Sequence, residues 1–77
     1  MLTVYTKPNC GQCSFTKDRL YRHGIPFEEK PITQEVLDLA IKYGFQSAPI
    51  VVPGDDWDRA WSGLRVNDID AYIEENS

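Results

Sequence analysis

LTVYTKPNCGQCSFTKDRLYRHG, residues 2–24, opens with the apolar run Leu2 to Tyr5, passes through Cys10-Gly11-Gln12-Cys13 and closes a helix-like stretch on Gly24. Leu2 to Thr6 suits a short buried strand. Ser14 to His23 carries helix formers, and Gly24 is a natural C-terminal cap. The two cysteines of the chain therefore fall between a strand and a helix, with Cys10 at the helix's positive end. Unpaired backbone N–H groups and the macrodipole favour a thiolate there over a thiol. Only the thiolate attacks disulfides, and Cys13, in the first helical turn, is spaced to break the mixed disulfide that Cys10 forms with a substrate. The stretch predicts a dithiol redox site with Cys10 and Cys13 as its reacting residues.

Two plainer uses of such a pair weigh against this. A closed zinc site takes four ligands from Cys and His, and two Cys and one His would need a carboxylate or a second chain to complete it. No metal is expected. A structural staple is also unattractive, because so short a loop removes little unfolded-state entropy and no other cysteines suggest a disulfide scaffold.

The 77 residues leave room for one domain, 1–77, with 42% hydrophobic residues to build its core. No stretch approaches the roughly 18 apolar residues of a membrane span. Met1 leads straight into a strand pattern without a basic flank, so no secretory signal is expected and a reducing cytoplasm is the expected compartment. With a net charge of −4 and eight scattered Lys and Arg, nucleic acid is not an expected partner. The acidic residues Asp55, Asp56, Asp58, Asp68, Asp70, Glu74 and Glu75 read as a solvated turn and a solvated helix face.

Further along, Pro26 and Phe27 open an extended segment to about Lys30. Thr33 can cap a helix whose Val36, Leu39, Ala40 and Tyr43 share one face, and Gly44 ends it. Ala48 to Val52 reads as a buried strand, Pro53-Gly54-Asp55-Asp56 as a turn and Arg59 to Ser62 as the returning strand. Asn67 can cap a last helix with Ile69, Tyr72 and Ile73 turned inward. The order β-α-β-α-β-β-α asks for an α/β fold with one four-stranded mixed sheet and three helices, the thioredoxin-like arrangement. A C-x-x-C beside a β-α-β pattern is itself a redox signature of that arrangement.

Three blocks carry a closer resemblance: Val4-Tyr5-Thr6-Lys7-Pro8 before the cysteines, Ser47-Ala48-Pro49-Ile50-Val51-Val52, and Trp61-Ser62-Gly63-Leu64-Arg65. Across essentially its whole length the chain resembles the NrdH redoxins, glutaredoxin-like proteins of the thioredoxin superfamily. The resemblance implies a hydrogen donor for a class Ib ribonucleotide reductase, re-reduced by thioredoxin reductase with NADPH. It also implies a cis Ala48-Pro49 peptide facing the cysteines. The family's last block is closer to W-S-G-F-R-P-[DE], so Leu64, Val66 and Asn67 depart from it, and the Pro53 to Ala60 connection is a few residues longer than is usual in the family. Gly11 is also unusual between the cysteines and is expected either to loosen the first turn or to vary the redox potential.

Glutathione-dependent glutaredoxins share the fold, the cysteine spacing and the proline loop. They resemble one another in a Gly-Gly-x-Asp-Asp pattern where this chain has Ser62-Gly63-Leu64-Arg65-Val66, and an Arg cannot pair with glutathione's ammonium group. A non-catalytic interaction module of the same fold is the other alternative. Against it, the cysteines, Pro49 and Gly63 lie on three segments that the topology brings to one end of the sheet.

The candidate partner-binding residues are Lys7, Gln12, Ala48, Pro49, Trp61, Ser62, Gly63 and Arg65. Lys7 either supports the Cys10 thiolate or is simply solvated. Gln12 lies between the cysteines, and Ala48, extended because it precedes proline, offers its backbone for pairing. Trp61 is expected to pack behind the Gly63 loop, and Arg65 to pack and hydrogen-bond within it. Trp57 reads as an exposed contact or a cover for the hairpin. Tyr5 and Phe15 read as core, and His23 as a cation favourable to the end of its helix. No bound cofactor is expected, and the chain is expected to act as a monomer.

Overall fold

Strand β1 (Leu2–Thr6) lies inside a four-stranded sheet, with side chains buried or half-buried on both faces. The computed structural model describes residues 1–76. From β1 the chain runs through α1 (Gly11–Arg22), β2 (Phe27–Pro31), α2 (Gln34–Lys42), β3 (Ile50–Pro53), β4 (Trp61–Ser62) and α3 (Val66–Glu75). The sheet order is β2-β1-β3-β4: β2 runs parallel to β1, with Val4 opposite Glu29, whereas β3 is antiparallel to both β1 and β4. This is the expected thioredoxin-like α/β arrangement, with the parallel pair joined through α1.

Alternation along the strands divides the core into two layers. Leu2, Val4, Val51 and Trp61 face α1 and α3, where they meet Leu20, Ile25, Ile69 and Ile73. Ile50 and Val52 face the other way, onto Val36 and Ala40 of α2. At the rim of this second layer Trp57 stacks with Tyr5, Tyr43 and Phe45 at centroid distances of 6.1, 5.8 and 6.4 Å. Trp57 is therefore a cover over the sheet, the second of its two expected roles.

Boundaries and burial depart from expectation in several places, among them β3, which spans Ile50–Pro53 and not Ala48 to Val52. Helix α1 starts at Gly11, not Ser14; the Ser14 N–H reaches the Cys10 carbonyl at 3.2 Å, so Gly11 forms a regular first turn rather than a loosened one. The returning strand is only Trp61–Ser62, because Trp57–Arg59 forms a 3-10 turn whose Asp56 carboxylate accepts the Asp58 N–H at 3.1 Å. Helix α3 starts at Val66, so Asn67 lies inside it and caps nothing. Phe15 is 45% exposed and not core, while Leu39 and Tyr43 are also largely exposed, leaving Val36 and Ala40 as the buried stripe of α2. Thr33 does cap α2, accepting the Val36 N–H at 3.4 Å, and Gly44 follows it at φ 79. Among the described residues no helix is long and apolar enough to cross a membrane.

The expected solvated acids are partly tied. Arg59 pairs with Glu75, Arg65 with Asp68, and the Arg19 Nε donates to Asp70 at 2.7 Å, fastening α1 to α3. That hydrogen bond, ahead of opposing desolvation and aided by the Arg19 charge, holds the Asp70 carboxyl below its ordinary range. A carboxyl depressed in the folded state contributes stability above its unfolded pKa and loses it as pH falls through its folded one. Asp70→Asn is thus expected to lower Tm at neutral pH, with the gap to the parent closing once the medium drops below about pH 3.9. Melts followed by circular dichroism from pH 7 to pH 2 check this; a gap of constant size would contradict it.

Candidate active site

The site is built where β1 turns into α1. Asn9 takes φ 57, a left-handed conformation that Asn tolerates better than most side chains, and swings the chain so that Cys10 becomes the N-cap of α1. Cys10 has φ −110 and ψ 103, and its Sγ accepts the Cys13 N–H at 3.1 Å, the position a Ser or Asp oxygen takes at an ordinary helix start. A disulfide joins Cys10 to Cys13, with the Cα atoms 5.2 Å apart. Cys13 is only 2% exposed, beneath a half-buried Cys10. Beside them lies an open depression of about 390 Å³, lined by Lys7, Lys17 and Glu29 as well as by both cysteines.

The proline loop and the last loop meet the cysteine helix at this end. The Ala48-Pro49 peptide is cis, as expected. The Gly63 N–H donates to the Pro49 carbonyl at 2.8 Å, and Gly63 takes φ 77. A Cβ on Gly63 would lie 2.6 Å from the Ser47 Oγ and 3.8 Å from the Gln12 Oε1. Gln12, Ser47 and Gly63 are thus close neighbours, which links all three segments. Ser62 pairs opposite Ile50, half-buried at the foot of the last loop. Pro49 is fully buried and Ala48 is 8% exposed, yet the Ala48 N–H and C=O take no hydrogen-bond partner among the described residues.

Other expected site residues sit differently. Trp61 is 7% exposed, packed in the core with its ring tilted 55° against Tyr72, so it supports the loop from beneath and presents no surface to a partner. Its Nε1 is buried without a partner among the described residues. Arg65 reaches Asp68 at 3.1 Å and so does tie the acidic start of α3, but its side chain is 62% exposed and it does not pack. Among the described residues six of the eight Lys and Arg are held in ion pairs, and Lys7, beside the cysteines, is one of the two without such a partner there. Among the described residues no group of three or more His, Cys, Asp or Glu is spaced to hold a metal. His23 is the C-cap of α1.

Thr6, Asn9, Lys17 and Glu29 also line the depression, and Ser47 lies against Gly63, although none of the five is among the residues the sequence assigns to the site. Lys17 follows Cys13 by four residues, so the helix period alone puts the two on one face. Glu29 carries no comparable signal, since its place depends on the register of β2 against β1.

A glutaredoxin family profile matches residues 2–57 of the chain. The chain belongs to the glutaredoxin family. Within it, this redoxin is of the NrdH type. It is 39% identical over 71 residues to the glutaredoxin-like protein NrdH of Lactococcus lactis subsp. lactis (strain IL1403), spanning 90% of this chain and 94% of that protein. It is 35% identical over 66 residues to the glutaredoxin-like protein NrdH of Salmonella typhimurium, spanning 83% and 78%. Among solved structures, the NrdH-redoxin of Escherichia coli superposes with a TM-score of 0.79 at 32% identity, covering 91% of each chain; it is described as glutaredoxin-like with a thioredoxin-like activity profile. The thioredoxin-like protein BC3987 shares the fold, with a TM-score of 0.74 at 23% identity. This glutaredoxin-type redoxin is accordingly a thiol-disulfide oxidoreductase whose C-x-x-C pair closes to a disulfide.

Proposed function

We propose that the reduced protein donates two electrons to a disulfide of a class Ib ribonucleotide reductase in the cytoplasm and is re-reduced by thioredoxin reductase. The observation that carries the chemistry is the N-cap position of the Cys10 Sγ over the Cys13 N–H. In the reduced protein that donor and the helix dipole favour a thiolate on Cys10. The thiolate attacks one sulfur of the partner's disulfide, forming a mixed disulfide and releasing the partner's other sulfur as a thiolate that takes up a proton. Cys13 then gives up its proton and attacks the Cys10 Sγ. The Cys10–Cys13 disulfide forms, and the partner's second sulfur leaves and is protonated, so both electrons end in the partner's dithiol. No bound cofactor enters, and residues 1–77 act as one monomeric unit.

Partner recognition is assigned to the surface around this pair. The unpaired backbone of Ala48, beside Pro49, suits an extended segment of the partner in strand-like pairing. Gln12, Ser62 and Gly63 flank that segment, Trp61 supports their loop from below, and Lys7 offers a free cation to the thiolate or to the partner.

The choice of reductase is supported by the Arg65–Asp68 pair. Asp68 is the acid closest in sequence to the last loop, and Arg65 already occupies it, so glutathione's ammonium group finds no free carboxylate there. The E. coli relative's thioredoxin-like activity profile points the same way. The test is NADPH oxidation with a disulfide acceptor, coupled through thioredoxin reductase in one arm and through glutathione and glutathione reductase in the other. The first arm is expected to turn over much faster, and comparable rates would make this a glutathione-dependent glutaredoxin. If thioredoxin reductase is preferred but a class Ib ribonucleotide reductase is not reduced, the protein is a general disulfide reductase.

A further inference from the structure

Glu29 stands on β2, opposite Val4, so the strand register turns it toward α1 and the depression beside the cysteines. One of its oxygens, Oε2, accepts from the Lys17 Nζ at 2.9 Å and from the Thr6 Oγ1 at 3.0 Å. The charged side chains lining this depression are Lys7 from the β1–α1 loop, Lys17 from α1 and Glu29 from β2. Lys7 has no partner among the described residues, while Lys17 is taken by Glu29.

We propose that Glu29 is a positioning residue of the redox pair: by holding Lys17, it withholds a second positive charge from the Cys10 sulfur and so keeps the dithiol strongly reducing. The proposal rests on Cys10 being the attacking residue.

A cation next to the site stabilises the thiolate, and a stabilised thiolate stabilises the reduced form. That makes the protein a weaker reductant. Lys7 and the start of α1 already favour the thiolate. A free Lys17 would push further in the same direction, so a donor that must pass electrons on gains from having it neutralised. The Glu29 carboxyl is itself held below its usual range by the Lys17 hydrogen bond first and the Thr6 hydroxyl second. It therefore stays ionised wherever the thiol titrates. Lys17 and Glu29 side chains are 30% and 46% exposed, so water screens the pair and the effect is graded rather than absolute.

The test compares the parent with Glu29→Gln, Lys17→Gln and the double variant, using alkylation rates over graded pH and equilibration with a dithiol of known potential. Glu29→Gln frees Lys17 and is expected to raise the Cys10 thiolate fraction about threefold at neutral pH. The potential should become less negative by about 15 mV, from about 30 mV per tenfold change in the equilibrium constant. Lys17→Gln leaves an unbalanced carboxylate and is expected to shift both readings in the opposite sense, and the double variant to return close to the parent. A purely structural role would lower stability in both single variants without opposing shifts in thiol pKa. Unchanged values in Glu29→Gln, or single variants that move together, overturn the proposal. Mapping the alkylated residue separates the two layers of argument: first labelling at Cys13 overturns the Cys10 assignment, whereas labelling at Cys10 with no shift in Glu29→Gln overturns the role of Glu29 alone.

Discussion

Cys10→Ser is expected to abolish disulfide reduction outright, while Cys13→Ser performs one attack and stops with the partner covalently attached. The asymmetry follows from where the two sulfurs lie. Cys10 caps the helix, receives the Cys13 N–H and borders an open depression, so an incoming disulfide can reach it. Cys13 is almost wholly covered and reaches the mixed disulfide only from inside. A serine hydroxyl at position 10 has nearly no oxyanion character at neutral pH, so nothing replaces the lost nucleophile. A serine at 13 leaves the attacking thiolate intact and removes only the group that would displace the partner. Non-reducing electrophoresis and intact mass after mixing with a disulfide partner read the two outcomes directly. An adduct formed through Cys13 in the Cys10→Ser protein would reverse the assignment.

Gly63→Ala is expected to destabilise the fold by about 2–5 kcal/mol, from about 1–2 kcal/mol for a side chain in the left-handed region and about 1–3 kcal/mol for overpacking. Gly63 has φ 77, and an added Cβ would sit 2.6 Å from the Ser47 Oγ, inside any tolerable contact. The loop also binds the Pro49 carbonyl through the Gly63 N–H, so any part of the clash that rotation of the Ser47 hydroxyl leaves unrelieved moves the proline loop with the Gly63 backbone. Activity should fall along with stability. The double variant Gly63→Ala/Ser47→Ala separates the two contributions, because the next nearest atom, the Ser47 Cβ, is 3.5 Å away and in ordinary contact. It should regain the steric share and keep the backbone share. Thermal melts and the coupled NADPH assay measure both; no recovery in the double variant would place the cost entirely in the backbone.

Much of this was legible because the signals are local. The strand-to-dithiol start needs only a four-residue spacing and a helix-stopping glycine, and the helix faces of Ile69 and Ile73 need only a period. What was missed depends on which side chain of a helix wins the inner face, on where its hydrogen bonds begin, and on contacts between distant segments. Phe15 has the spacing of a core residue, but Cys13, Thr16 and Leu20 already fill the inner face of α1, and the ring is left outside. Asn67 looked like a cap by residue type, yet the Arg65 carbonyl already takes the Ile69 N–H at 3.0 Å and starts the helix earlier. The length of the Pro53 to Ala60 connection could be counted, but not the aromatic stack that absorbs it, since Tyr5 comes from β1 and Tyr43 and Phe45 from the end of α2.

The outer strand β2 bears on how the protein behaves when crowded. An edge strand exposes a row of unsatisfied backbone groups on which another chain can template itself. Here that edge reads Phe27-Glu28-Glu29-Lys30-Pro31, with three charged side chains exposed and a proline that has no N–H to offer. The opposite edge, β4, is only two residues long. Sideways growth of the sheet into fibrils or precipitates is thus blunted on both flanks. The same molecule can therefore keep at Ala48 a backbone without a partner among the described residues, well covered at 8% exposure, without inviting its own copies to polymerise.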